Sequence, residues 1–310
     1  MNSRPLEYFL RVAELGSINR AAAELMISQP SLSRQIAALE HELGAELFNR
    51  FPRGVRLTDA GKLLADRARP ILRQLTELKE QVGEEAVGQV SIGIPPSWQA
   101  VFTLDFIDEF SRQHPAVKLR IHEGVSNSLK EQMFSGLLDL AIIPFDPIQA
   151  DGYKQTLLVR ESLVLVGGRE SQLSPRRPIS VTTLDGMRLI LPSRPNMLRK
   201  HLESALERRR LAIQVPIEAN TVSLCINLAK QNVGFSVTPS CAIHGYPTDG
   251  DVRWAPLRGL YLTWVLSENI SRSHTQAVRA GQRLALSQIE KVLSAGTWQS
   301  AELPQRRGIQ

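Results

Sequence analysis

The chain has 310 residues, 43% of them apolar and 22% charged, with a formal net charge of +6. That length suits two or three domains with real cores, the composition excludes a disordered or fibrous chain, and the positive balance favours a polyanionic partner. Arg4 and Glu7 interrupt any apolar leader, and no stretch approaches the ~20 apolar residues of a membrane span, so a cytoplasmic protein with no membrane partner is expected.

Leu6, Phe9, Leu10 and Ala13 predict an amphipathic first helix. Ser17 can cap a second, whose Ala21, Ala22 and Leu25 form a small apolar stripe that another helix can cross closely. Met26 and Ile27 are expected to fill the corner. Ser28 suits the N-cap of a third helix, and Pro30 falls in its first turn, where a missing amide costs nothing. Leu32, Ile36, Leu39 and Leu43 recur at steps of 4, 3 and 4, which makes one buried face. Arg34 points away from that face, Ser31, Ser33, Ala37 and Ala38 flank it, and Gln29 projects from the helix start. This is the layout of a helix-turn-helix, whose second helix enters the DNA major groove. Arg and Gln there make the bidentate contacts that distinguish bases. An ordinary helical hairpin with a solvated face would show the same stripe; the flanking segments favour DNA. In residues 47–61, Pro52 and Gly54 mark a turn between two short extended pieces, hence a β-wing. Arg50, Arg53 and Arg56 alternate along it and are expected to share one side, suited to phosphates and the minor groove. Residues 47–73 hold seven basic side chains against Asp59 and Asp66.

Thr58 opens a long helix. Leu64, Ala68, Ile71, Leu75, Leu78 and Val82 repeat along it at steps of 4, 3, 4, 3 and 4. That is the seam of a coiled-coil homodimer, the alternative being a helix packed on its own domain. Pro70 predicts a bend or break near residues 66–70. Gly83 and Gly88 bracket a hinge.

Residues 21–25 (Ala-Ala-Ala-Glu-Leu), 28–36 (Ser-Gln-Pro-Ser-Leu-Ser-Arg-Gln-Ile), 47–50 (Leu-Phe-Asn-Arg) and 54–61 (Gly-Val-Arg-Leu-Thr-Asp-Ala-Gly) together resemble the LysR-type transcriptional regulators. The resemblance implies an α+β multidomain chain. Its parts are a winged helix-turn-helix over 1–58, a dimerisation linker helix and hinge over 59–88, and a two-lobed α/β effector domain of periplasmic-binding-protein type over 89–300. Residues 301–310 are expected to be a disordered tail. The implied DNA contacts are Gln29, Pro30, Ser31, Ser33 and Arg34, with Arg50, Arg53 and Arg56 on the wing; Gln29, Ser33 and Arg34 face bases and Arg53 enters the minor groove. The implied partners are a double-stranded operator, a second copy in a homodimer that pairs into a homotetramer, a small organic effector and RNA polymerase. No cofactor, metal or enzymatic activity is implied.

Beyond the hinge, strands at 89–94, 117–123 and 138–143 alternate with helices at 101–113 and 129–135. A second series sets strands at 188–191, 214–218 and 233–237 beside helices at 197–210 and 222–230. A strand at 260–267 can return to the first lobe, and a helix over 274–293 closes the domain. The alternation implies a largely parallel sheet, with lobe I over 89–162 and 266–300 and lobe II over 163–265. In such sheets ligands sit beyond the C-terminal strand ends. Those ends carry Ser97 and Trp98, Ser126, Phe145, Ser193, Arg194 and Asn196, Thr221, and Thr238. The resemblance places an inducer at Ser97, Ser126, Ser193 and Thr221, although each of these alone also reads as a helix cap. Arg194 could pair an anionic effector.

Residues 88–93, 260–263 and 273–278 are similar to the nitrogen assimilation control branch of the family. Some members of that branch need no small effector, so an effector-independent regulator stays open. Cys225 and Cys241 lack metal-site spacing and read as buried reduced thiols, with a redox pair as the alternative. The competing class is a cytoplasmic small-molecule-binding protein or enzyme using the two-lobed cleft. Against an enzyme, there is no phosphate-cradling Gly-rich loop, no GxSxG and no HExxH.

Overall fold

A computed structural model describes residues 3–52, 54–82, 88–147, 152–247 and 250–304, without the side chains of 70, 73, 74 and 76–82. The chain divides into two compact units, one built on Met1–Ala86 and the other on Val87–Met133 and Leu138–Gln310.

The N-terminal unit runs α1 (Arg4–Leu15), α2 (Ile18–Glu24), α3 (Gln29–Leu43), β1 (Phe48–Phe51), β2 (Gly54–Leu57) and α4 (Asp59–Val82). Ser17 and Ser28 cap α2 and α3 by accepting from the amides of Arg20 and Ser31, and Gly16 and Gly44 end α1 and α3 in the left-handed conformation. Phe9, Ala21, Ala22, Leu32, Ile36 and Leu39 close a three-helix core. Two corner expectations fail. Met26 is 92% exposed at positive φ, because the chain reverses there and only Ile27 turns inward. Leu43 is 48% exposed, because α3 ends at Gly44 beyond the reach of the core.

The wing is a two-stranded antiparallel hairpin held to the helices by backbone and carboxylate bonds. Val55 N donates to Gly16 O at 2.9 Å, and Glu40 Oε1 accepts from Leu47 N at 2.8 Å. Gly54 is required twice over: its φ is 141°, and an added Cβ would lie 2.4 Å from Gly16 O.

α4 runs unbroken through Pro70, so the expected break is absent. The first positions of the expected dimer seam are also corrected. Ala68 is buried in the core of its own unit and Leu64 packs partly against it, with Ala65 and Leu72 beside them. The first turns of the helix are therefore covered in part from inside the chain. Ile71 is half exposed and Leu63 more so. The side chains of Leu78 and Val82, like Arg53 and the hinge residues 83–87, lie outside the described residues.

The C-terminal unit contains β3 (Gln89–Ile94), α5 (Leu104–Gln113), β4 (Lys118–Glu123), α6 (Ser126–Phe134), β5 (Leu140–Pro144), β6 (Tyr153–Gly167), β7 (Ile179–Ser180), β8 (Arg188–Pro192), α7 (Met197–Glu207), β9 (Gln214–Ala219), α8 (Val222–Lys230), β10 (Phe235–Pro239), β11 (Arg253–Asn269), α9 (Gln276–Ser294) and β12 (Ala301–Glu302). The sheet order is β4-β3-β5-β11-β6-β10-β8-β9. β3 lies parallel to β4 and β5, and β8 parallel to β9 and β10. β6 and β11 run antiparallel to each other through both sets. The sheet is therefore two parallel three-stranded groups joined by two long crossing strands. β6 has no counterpart in the sequence expectation. β11 begins at Arg253, and its register shift falls between Pro256 and Tyr261, so the return crossing precedes the expected 265/266 boundary. Ala301 and Glu302 pair with Glu161 and Arg160 of β6, which corrects the expectation of a tail starting at 301; Trp298, buried just before, anchors the segment. Residues 305–310 lie outside the described residues.

Buried Asp139 pairs with Arg272 at 2.5 Å and accepts Ser91 N at 2.7 Å, which ties β3, β5 and the segment before α9. Trp98 has no exposure and stands edge-on to Phe102, Trp264 and Trp298, with centroids 5.1–5.5 Å away.

Candidate functional site

The N-terminal unit presents α3 with its polar side outward. Gln29, Pro30 and Arg34 are exposed, and Ser31 and Ser33 are half-buried beside them. Gln29 Nε2 donates to Ser33 Oγ at 2.9 Å, so the amide is already oriented along the helix face. Arg34 has no hydrogen-bond or ion-pair partner among the described residues. The same stripe that buries Leu32, Ile36 and Leu39 leaves this surface free to face outward. On the wing, Asn49 pairs with Arg56 and Arg50 with Val55, so Arg50 and Arg56 lie on opposite faces of the hairpin. The expectation of one shared basic side is thereby corrected. Arg50 shares the face of buried Phe48 and reaches to 3.9 Å from Glu40, while Arg56 lies over the Phe51 ring at 5.6 Å on the other face.

In the C-terminal unit a cavity of about 340 Å³ opens where the parallel strands end. Ser97 follows β3, Ser126 starts α6, and Asn196 and Thr221 are the N-caps of α7 and α8; all four line the cavity. Trp98, Phe145, Ser193, Arg194 and Thr238 do not. Trp98 is spent in the aromatic cluster. Phe145 packs against the cluster of Leu129, Met133 and Ile143. Ser193 donates its amide and hydroxyl to Ala219 O, which closes β8 onto β9. Arg194 pairs with Glu203 at 2.7 Å, and Thr238 is buried in the β10–β6 ladder.

The sequence reading missed Cys241, His244 and Tyr246, which follow β10, and Trp264 of β11. The strand-end rule that singled out Thr238 points to them if it is continued a few residues past Pro239.

A family model of the LysR substrate binding domain matches residues 83–288, and one of the bacterial regulatory helix-turn-helix protein, lysR family, matches residues 3–62. The chain belongs to the LysR family. It is a DNA-binding transcriptional regulator with an effector-binding domain. The LysR chain is 35% identical to the nitrogen assimilation regulatory protein nac of Escherichia coli (strain K12) over 78% of its own length and 79% of the relative's. It is 31% identical to the HTH-type transcriptional regulator BbuR of Bordetella bronchiseptica over 94% and 91%. Full-length OxyR from Pseudomonas aeruginosa superposes with a TM-score of 0.71 at 21% identity, covering 98% of this chain and 99% of that one.

Beneath the cavity of this LysR effector domain lies Glu161, a fully buried carboxyl. It accepts from Ser240 Oγ at 2.5 Å, Cys241 N at 2.7 Å, Trp264 Nε1 at 2.5 Å and Trp298 Nε1 at 3.2 Å. Burial pushes its pKa above the ordinary value, and these donors pull back. Burial first, and then the nearby Glu161 charge, hold the Cys241 thiol well above its usual value; burial raises Cys225 to about 11. Both cysteines are free and buried, and thiols so raised are poor nucleophiles. Burial also lowers the His244 pKa from its ordinary value, against the opposing charge of Asp105. Among the described residues no helix is long and apolar enough to cross a membrane.

Proposed function

We propose that this regulator reads a two-fold operator through α3, and that a small organic effector in the C-terminal cavity controls operator binding and DNA bending. Gln29, Ser33 and Arg34 face base edges, with Pro30 and Ser31 fitting the helix start against the groove. Arg50 and Arg56 contact phosphates on either side of the wing, and Arg53 enters the minor groove. The observation that carries the reading is the unpaired, exposed Arg34 guanidinium beside a pre-oriented Gln29, on a helix whose opposite face is buried.

A homodimer forms along the side of α4 that its own core leaves uncovered, where Leu63 and Ile71 stay exposed, and dimers pair into a homotetramer. The winged domain spans 1–58, and the linker 59–88 transmits the effector signal. Lobe I comprises 89–162 and the chain from the return crossing to 300, with lobe II between. Effector binding shifts the assembly only as far as its affinity differs between two arrangements of the dimers. RNA polymerase is the partner through which a bent operator alters transcription, and the protein works in the cytoplasm.

The test is a gel-shift titration of Arg34→Ala against the DNA upstream of its own gene and a scrambled duplex. Discrimination is expected to fall by about 1–3 kcal/mol while binding to the scrambled duplex and the melting profile persist. Unchanged discrimination would refute the α3 assignment.

A further inference from the structure

The wall of the C-terminal cavity, taken over the described residues, carries no Asp, Glu, Lys or Arg side chain. Its surface is mostly Pro, Val, Leu, Ile, Tyr and Trp, broken by the His244 imidazole, the Cys241 thiol, Ser97, Gln99 and a few further amide and hydroxyl groups. The basic residue on the loop into α7, Arg194, is held by Glu203 and is not part of that wall. At the starts of α7 and α8 one amide each is already taken: Asn196 Oδ1 accepts from Arg199 N at 3.1 Å and Thr221 Oγ1 from Leu224 N at 3.2 Å. One side chain behind the wall stands Glu161, bonded to Cys241 and Trp264, both of which also line the cavity. No Lys or Arg among the described residues pairs with it.

We infer that the effector of this cleft is an uncharged, mainly hydrocarbon molecule with one or two hydrogen-bonding groups, and that carboxylates are rejected. The inference rests on the proposed role of the cavity as the effector site. An ionised carboxylate entering this wall would lose its hydration and meet no Lys or Arg, and the imidazole beside it, His244, has its charged form disfavoured by burial. Glu161, when ionised, would repel it through the floor. A neutral ring loses little water and gains the apolar wall, while the hydroxyls and amides fix its orientation.

The experiment is calorimetric titration of the whole chain with two isosteric pairs, benzamide against benzoate and indole-3-carboxamide against indole-3-carboxylate. The neutral member of each pair is expected to bind at least about tenfold more tightly. Ala242→Phe and Val222→Phe, which put a ring into the cavity, are expected to abolish that binding without shifting the unfolding of the N-terminal unit. Carboxylates that bind as tightly as their neutral partners, and lose that binding in Ala242→Phe, would overturn the charge inference and leave the cleft as the effector site. Absence of neutral binding at about 5 mM, or neutral binding retained by both filled variants, would overturn the inference too.

Discussion

In the N-terminal unit the arginines of α3 and the wing project from the surface, and Arg34 has no partner among the described residues. In the C-terminal unit Arg272 is buried against Asp139, and Arg199 against Glu203 and Glu218 at 2.8 and 2.6 Å. The same side chain is left exposed to water at Arg34 and is held in ion pairs inside the unit at Arg272 and Arg199. The cavity follows from the second arrangement. Its unit spends its charges on holding strands and helices together, and lines the remaining space with apolar and neutral groups.

The contrast can be broken most sharply at Arg272. Arg272→Ala leaves Asp139 buried without its cation and is expected to cost the C-terminal unit about 3–5 kcal/mol, read as a lowered second transition in denaturant unfolding. Arg34→Ala is expected to leave both transitions in place. A common shift of both transitions in Arg272→Ala would show that the two units do not unfold independently.

Two helix caps sharpen the comparison at smaller scale. Ser28→Ala and Thr221→Ala each remove one side-chain acceptor from a helix start, at about 1 kcal/mol apiece. The first is expected to weaken operator binding with no change in ligand affinity, and the second the reverse, by gel shift and calorimetry. A Ser28→Ala protein that lost ligand affinity would contradict the separation.

The smallest effect is a pH dependence. Glu161 has a raised folded value, so the folded unit binds its proton more tightly than the unfolded chain does. The stability it contributes is complete below the ordinary carboxylate range and is lost as pH rises through the folded value. Glu161→Gln is therefore expected to flatten the fall in the denaturation midpoint of the C-terminal unit over that window. An identical slope in variant and parent would rule out this titration.

Much of the N-terminal unit was legible because helices repeat locally. The spacing of Leu32, Ile36 and Leu39 and the caps Ser17 and Ser28 gave the buried face, the boundaries and the free side of α3 together. The wing's faces were not legible, since which residues share a side depends on the register Asn49↔Arg56 and Arg50↔Val55, and alternation along one strand does not give it. The α4 stripe was read at the right spacing, but its first positions meet their own core, a choice among partners that periodicity leaves open.

In the C-terminal unit the chain's own pattern determined the alternating strands and helices, the Thr221 cap of α8, and four of the cavity's polar groups, because each depends on neighbours a few residues away. Tertiary structure alone decided that β6 crosses between the strand groups, that Trp98 faces inward, that Arg194 is taken by Glu203, and that Cys241 and Trp264 complete the wall over Glu161. These outcomes join residues as far apart as Glu161 and Trp298, and such pairings are selected by packing, charge and hydrogen-bond satisfaction across the whole unit.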